Sequence, residues 1–336
     1  MIGYYAHHQG EGHTQRMRAI AEHLSEPVTG LSSAPPPPGW TAPWVHLAAD
    51  DVPAAVVDPT ARGTLHWVPR GRSAMRDRAT TLCEWISRTR PALVVVDTSV
   101  EVAVQVRLTG TPVVAMAMPG HRLDPAHRLA YDLAEVLIAP WPADVASDCW
   151  PDSWRDKAVH VGGLSRFDGR GAQYVRGGDG PRRALFLWGS GGRVPSTHDL
   201  QSLELATPGY TWQFAIAGGD GALGEEEMWE ALCRADVVVS HGGQNAVAEI
   251  AAARIPAVLV ADERPFDEQR HTVGAIVGAG IALGLFAWPE PARWSKLLDE
   301  ACLRGGEHWK RWSDGRGAHR TATTLDGLAH DLATAS

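Results

Sequence analysis

Residues 235–253 constrain this chain more than any other stretch. Ala235-Asp-Val-Val-Val-Ser240 is an apolar run of strand length, His241-Gly-Gly243 is a turn, and Asn245 to Ala253 has the composition of a helix. A buried strand that turns through two glycines into a helix is the unit from which parallel sheets covered by helices are built. Such a turn leaves backbone amides free, and the helix start adds about half a positive charge, so the place suits an anion such as a diphosphate. Gly242, Gly243, Gln244 and Asn245 would supply donors there, with His241 as a further side-chain donor. Glu249 lies four residues past Asn245 on the same helix face, about 6 Å along the axis. That reach suits the hydroxyls of a ribose beyond a phosphate.

Ile255-Pro-Ala-Val-Leu-Val-Ala261 reads as a second short strand, and Asp262-Glu-Arg-Pro-Phe-Asp-Glu-Gln269 follows at its C-terminal end. Open parallel sheets bind ligands at that edge. From 235 to 277 the chain resembles the donor half of nucleotide-sugar glycosyltransferases with two Rossmann-like domains, the GT-B fold. It is most similar to the family of the peptidoglycan N-acetylglucosaminyl transferase and to the related plant and antibiotic enzymes. The resemblance implies that Ser240 to Asn245 hold the donor's diphosphate, that Glu249 binds ribose hydroxyls, and that Glu268 and Gln269 hold hydroxyls of the transferred sugar.

The chain is long enough for two cores, with 336 residues against the roughly 100–150 of a common domain. The expected class is α/β, two Rossmann-like domains facing a cleft. The first would span 1–162 and bind the acceptor. A glycine-rich linker would follow over 163–183, since residues 162–184 hold seven glycines. The second domain, 184–336, would bind the nucleotide sugar. In the first half, strands are expected at Ile2 to Ala6, Pro43 to Ala48, Leu93 to Asp97, Val113 to Ala117 and Val136 to Ala139, with a helix from Thr14 to Leu24. In the second they are expected at 184–188, 211–217, 236–240, 256–261 and 280–283. The final segment, Glu307 to Ala333, reads as helix broken near Gly315 to Gly317, and the resemblance implies that it crosses back onto the first domain.

Charge and cysteine usage exclude some classes. A net charge of −8 argues against a general nucleic-acid binder. Between Arg62 and Arg90, seven arginines face only Asp77 and Glu84, either a solvated helix face or a patch for an anionic acceptor or membrane surface. Cysteines 83, 149, 233 and 302 show neither metal-ligand nor redox spacing, and neither a secretory leader nor a membrane-length apolar run is evident, so a cytoplasmic protein with at most peripheral membrane contact is expected. Of 14 tryptophans, Trp40, Trp44, Trp67 and Trp85 fall where a flat or apolar acceptor would be held, although most tryptophans fill cores.

The chemistry centres on Gly10-Glu-Gly-His-Thr-Gln-Arg16, just after the first strand. A histidine in the first turn of a helix sits at the positive dipole end, which favours the neutral imidazole and service as a base near pH 7. Inverting glycosyl transfer needs such a base to take the acceptor's proton, and a positioned imidazole contributes about 10²–10⁴-fold. His13 is the candidate, with His7 and His8 as rivals on the same strand edge. The string containing Gly12, His13 and Arg16 resembles the opening loop of nucleotide-sugar enzymes of this fold, which implies a base or acceptor-side role for His13 and an accessory role for Arg16. Asp97, ending an apolar strand at the same edge, is either the carboxylate that fixes the base's tautomer or a cap of the helix that starts at Ser99.

The leaving diphosphate would be met by amides of Gly189 to Gly192 and Gly242 to Gln244, with Ser190 and His241 adding side-chain donors; Gly191 and Gly192 complete the first loop. Neither metal nor cofactor is required on this scheme. Ala49-Asp-Asp51 has no accompanying ligand cluster in the sequence. A carboxylate gripping both ribose hydroxyls favours UDP over dTDP, with GDP close behind. The leading expectation is thus an inverting, metal-independent transferase moving a sugar from a UDP-sugar to a small or amphipathic acceptor, either a natural-product scaffold or a lipid-linked sugar. The alternatives are a UDP-sugar hydrolase using water, a nucleotide-sugar epimerase and a catalytically silent binding subunit.

Overall fold

The computed structural model describes residues 1–51, 56–145, 150–171, 180–189, 194–218 and 221–335. Two parallel sheets organise them. The first contains β1 (Ile2–Ala6), β2 (Val28–Ser32), β3 (Trp44–His46), β4 (Leu93–Asp97), β5 (Val113–Met116), β6 (Val136–Ala139) and β7 (Ala158–His160), in the order β3-β2-β1-β4-β5-β6-β7. The second contains β8 (Arg182–Trp188), β9 (Tyr210–Ile216), β10 (Val237–His241), β11 (Ala257–Val260) and β12 (Leu283–Leu285), in the order β12-β11-β10-β8-β9.

The helices of the first half are α1 (Gly12–Ala21), α2 (Ser73–Thr89), α3 (Val100–Leu108), α4 (Pro125–Leu133) and the single turn α5 (Asp152–Arg155). Those of the second are α6 (Thr197–Ala206), α7 (Glu225–Arg234), α8 (Gln244–Ala253), α9 (Glu268–Gly278), α10 (Trp294–Arg304) and α11 (Gly317–Ala335). This is the expected α/β class. None of the described helices is long and apolar enough to cross a membrane.

Strand order places the functional edges. In the first sheet the order reverses between β1 and β4, and in the second between β8 and β10. Loops leaving neighbouring strands at such a reversal diverge to opposite faces and open a crevice at the strands' C-terminal ends. The crevice strands are apolar because both faces are covered: every residue of β1 and β4 is buried, as is every residue of β10.

Two strands of the first sheet, β2 and β7, were not legible. Gly30 lies inside β2, where glycine normally weakens a strand. A Cβ at that position would lie 2.4 Å from the Trp44 ring, so the glycine clears space for an indole on the adjoining strand. Trp44 and Trp40 pack there edge to face, and Trp85 is buried in the core. The last strand of the second sheet also falls later than the expected 280–283, at Leu283–Leu285.

Helix α11 crosses back as expected. Ala318, Ala322, Leu325 and Ala329 pack into the core that holds Ile2, Tyr4, Met17 and Ile20, and Asp326 accepts hydrogen bonds from the backbone of Ser25 and Glu26. Residues 163–171 are packed rather than free. Gly163 donates to the Trp312 carbonyl at 2.7 Å and Phe167 is fully buried against Trp229; residues 172–179 of the expected linker lie outside the described residues.

Candidate functional site

His13 and Asp97, 84 residues apart in sequence, meet at the first sheet's reversal. Helix α1 begins at Gly12, so His13 occupies its first turn, and its Nδ1 lies 2.8 Å from Asp97 Oδ1 at the end of β4. This leaves Nε2 without a hydrogen-bond partner among the described residues. Asp97 is fully buried, yet Arg16 reaches it at 3.5 Å and the Tyr4 hydroxyl donates to it at 3.3 Å. Burial pushes this carboxyl's pKa up, but Arg16 and His13 outweigh that effect and hold it below the usual value. An anionic Asp97 requires His13 to present Nδ1–H to it, which fixes the tautomer and leaves Nε2 as the proton acceptor. Asp97 does not cap α3, because Ser99 does so by accepting from the Val102 amide.

The rivals are differently placed. His7 stacks on His8 with ring centroids 4.7 Å apart and stands 6.0 Å from His13. Burial, reinforced by His13 and His8, depresses its pKa to about 3. His8 Nε2 lies 3.0 Å from Asp51 and 3.7 Å from Asp50. Here the sequence reading needs correction, since Asp50 and Asp51 do have a histidine companion, delivered by β1. A second His-carboxylate group, His66, Asp124 and His127, gathers beside α4.

On the second sheet, His241 ends β10 and turns inward. Its Nε2 faces the Gly189 amide and its Nδ1 the Gly243 amide, each at 2.9 Å, and the Gln269 amide nitrogen is 3.3 Å from Nδ1. Burial depresses the ring's pKa to about 4, so it is neutral at pH 7. This differs from the expected side-chain donor. The two amides face ring nitrogens rather than open space, because a residue at a strand end, packed against Trp188, projects between the two strands of the reversal. A neutral imidazole accepts at one nitrogen only, so only one of the two close approaches is a hydrogen bond.

Other expected contacts are occupied within the protein. Glu249 is buried, with Arg166 Nε 2.9 Å away; burial raises its pKa and Arg166 opposes the rise. Glu268 accepts from Arg122 at 3.3 Å. Gln269 is buried, with its Oε1 accepting from the Asp262 amide at 2.9 Å. Gln244 Oε1 accepts from Arg16 at 3.2 Å, tying the start of α8 to the His13–Asp97 pair. Gly12 permits this approach, for a Cβ there would stand 1.7 Å from Asn245 Nδ2. Gly242 is hemmed in by Val273 and Gln269, and Gly243 by the His241 ring. Ser190, Gly191 and Gly192 lie outside the described residues.

Three residues not foreseen also join the two halves. Phe266, with a left-handed φ of 62°, puts its ring 4.7 Å from that of His127 and 4.5 Å from the Arg122 guanidinium. Its carbonyl accepts from the His121 amide at 2.7 Å. Arg122 in turn lies 3.2 Å from His127 Nε2, and Arg166 meets Glu249 as described. Apart from the Arg122–His127 contact, these pairings join residues of different halves, so nothing in local spacing announces them.

A cavity of about 480 Å³ opens on the first domain, lined among others by His7, whose ring centroid is 6.0 Å from that of His13, and by His8, Thr98, Met116, His127 and Tyr131. It lies at the C-terminal edge of the first sheet, with Thr98, whose hydroxyl donates to Asp97 at 3.3 Å, in its lining.

Comparisons with known proteins agree with this architecture. Residues 225–290 match the glycosyltransferase family 28 C-terminal domain. Over nearly its whole length the chain is similar to the glycotransferase of kitacinnamycin (16% identity, TM-score 0.63, covering 97% of this chain and 98% of that one). It is similar also to MurG of Acinetobacter baumannii (16% identity, TM-score 0.62, 98% and 99% covered). CalG4, the calicheamicin glycosyltransferase, matches at 18% identity and TM-score 0.59, with 99% and 97% covered. No curated protein matches the chain at a significant level. The fold is that of the GT-B glycosyltransferases, and the match to the family 28 C-terminal domain falls on residues of the second sheet and its helices.

Proposed function

We propose that this glycosyltransferase moves a sugar from a nucleotide diphosphate sugar, UDP-linked by preference, to a hydroxyl of a small or amphipathic acceptor held in the first-domain cavity, with inversion and without a metal ion. The observation that carries the reading is the buried Asp97 holding His13 at 2.8 Å, with Nε2 left to take a proton. In this scheme the acceptor oxygen attacks the anomeric carbon from the cavity side. His13 Nε2 takes the hydroxyl proton as the C–O bond forms, Asp97 stabilises the resulting imidazolium, and the bond to the diphosphate breaks on the opposite face. The departing charge is met by backbone amides at the reversal of the second sheet and the start of α8.

Donor binding on this reading exchanges internal contacts for ligand contacts. A diphosphate takes over the Gly189 and Gly243 amides that now face His241. Ribose hydroxyls meet Glu249 in place of Arg166, and sugar hydroxyls meet Glu268 beside Arg122.

The experiment is an incubation with UDP-sugars, with and without a panel of hydroxylated acceptors, followed by mass spectrometry. Glycosylated acceptor is expected, and its yield should survive chelation with EDTA. Rapid stoichiometric release of free sugar without acceptor would instead make the protein a hydrolase. In parallel, Glu249→Ala should weaken UDP binding by calorimetry; unchanged affinity would remove the ribose role.

A further inference from the structure

The walls of the cavity near the His13–Asp97 pair carry both apolar residues and carboxylates. Val96, Val100, Ala115, Met116, Ala130 and Tyr131 line it, and so do Asp50, Asp51 and Glu101. Among the described lining residues there is no lysine or arginine. Arginines reach the lining residues from behind: Arg78 approaches Asp50 at 3.7 Å and donates to Ser33 and to the Ala48 carbonyl, and Arg122 lies 3.2 Å from His127 while pairing with Glu268 at 3.3 Å. Glu101 accepts from the His66 and Trp67 amides at 2.7 and 2.9 Å and from the Ser99 hydroxyl at 3.1 Å, so its charge is solvated but not cancelled.

The histidines do not reverse the sign. Burial holds His7 and His127 neutral at pH 7, their pKa values depressed to about 3 and about 4. His66 faces its own carboxylate, Asp124, at 3.1 Å. With Arg122 answered by Glu268, the lining carboxylates Asp50, Asp51 and Glu101 outnumber Arg78. His8 Nε2 lies 3.0 Å from Asp51, while its buried Nδ1 lacks a hydrogen-bond partner among the described residues. A buried ring nitrogen without a partner leaves room for one more polar group at that place.

We propose that the acceptor is a hydroxyl compound with an apolar body and a protonated amine, the amine seated between Asp51 and Glu101 beside His8. The inference rests on the reading that this cavity receives the acceptor. An ammonium gains charge-assisted hydrogen bonds to Asp51, whereas a phosphate or carboxylate would bring like charge into a partly desolvated space. About 480 Å³ suits a small scaffold. Between the two acceptor classes considered, an amine-bearing scaffold fits this wall, and the diphosphate of a lipid-linked sugar is repelled from it.

Tyramine, N-acetyltyramine and 3-(4-hydroxyphenyl)propionate test the sign directly, because they share a phenolic body and differ at one end in charge. Their binding to the full chain is measured by calorimetry with UDP present. Tyramine is expected to bind about tenfold more tightly than its acetylated form, with the propionate weakest. Asp51→Asn, at a half-exposed loop position, should erase most of that preference. Equal binding of the three, binding of none, or a preference that persists in Asp51→Asn and Glu101→Gln alike would overturn the inference. Titrating UDP alone separates the two readings: a chain that prefers tyramine but ignores nucleotides keeps its amine pocket and loses its role as a transferase. A chain that transfers sugar and ignores charge on the acceptor does the reverse.

Discussion

At the cleft edge of the first sheet, charged side chains are held by partners from distant elements; at the cleft edge of the second, the chain satisfies itself locally. His13 on α1 meets Asp97 on β4, which Arg16 and Tyr4 also hold. His241, by contrast, faces the amides of Gly189 and Gly243 at the same reversal, and Gln269 supports it. The first edge fixes one imidazole nitrogen of His13 and leaves the other without a hydrogen-bond partner among the described residues, which is what the proposed proton transfer needs. The second is a set of amides aimed at charge, closed over its own histidine. Arginines of the first half and of residues 163–171 then meet the second domain's carboxylates: Arg122 with Glu268, Arg166 with Glu249, Arg18 with Glu225 and Arg170 with Glu225 and Glu226.

The largest expected effect falls on the first edge. His13→Ala should lower kcat by about 10²–10⁴-fold while leaving the donor KM little changed, because the base acts only as the acceptor proton leaves. Asp97→Asn should also lower kcat, since a neutral amide can favour the wrong imidazole tautomer and cannot balance the imidazolium. Circular dichroism checks that each variant folds. Wild-type turnover in His13→Ala would move the proton chemistry to His7 or His8 and break the comparison.

An intermediate effect is expected where the two edges touch. Arg122 is buried, stacks on Phe266 and reaches both His127 and Glu268, so it sets where the Glu268 carboxylate stands. Losing one charged hydrogen bond costs about 1.5–3 kcal/mol, which corresponds to at least about tenfold in donor KM for Arg122→Ala. Affinity for UDP alone, which lacks the sugar, should be unchanged, and Arg122→Lys should recover part of the loss. A fall in UDP affinity equal to the loss for the UDP-sugar would show that Arg122 merely holds the domains together.

The contrast between the edges also explains what was legible in the sequence. The motif proposed to meet the donor is contiguous from 241 to 249, and a strand-turn-helix unit fixes its geometry locally. The His13–Asp97 pair is remote in sequence but follows from strand-end logic, because both residues leave adjacent parallel strands at one reversal. Three features were not readable. The inward turn of His241 depends on β8 lying beside β10. The pairing of Glu249 with Arg166 depends on how residues 163–171 pack. Strand β2 was hidden by Gly30, whose purpose is visible only once Trp44 lies across it.

The smallest effect concerns acid stability and discriminates between the edges through their histidines. The His241 pKa is depressed from 6.5 to about 4 by burial first and by Arg264 second, with Asp262 opposing. The unfolded chain binds a proton at this residue below about pH 6.5, while the folded chain does so only near pH 4. Its contribution to stability is therefore complete above the unfolded value and is lost as pH falls from 6.5 to 4, at most about 3 kcal/mol for a shift of this size. His127 follows the same sign, with its pKa at about 4 from burial and Arg122, but Asp124 opposes the shift. His241→Gln keeps an acceptor for one amide and removes the titration. Melting temperatures of this variant should fall less steeply than wild type across that window, although it starts lower at neutral pH because the second amide loses its neighbour. Parallel melting curves for the two proteins would mean that His241 titrates alike folded and unfolded, and that the second edge is open to water.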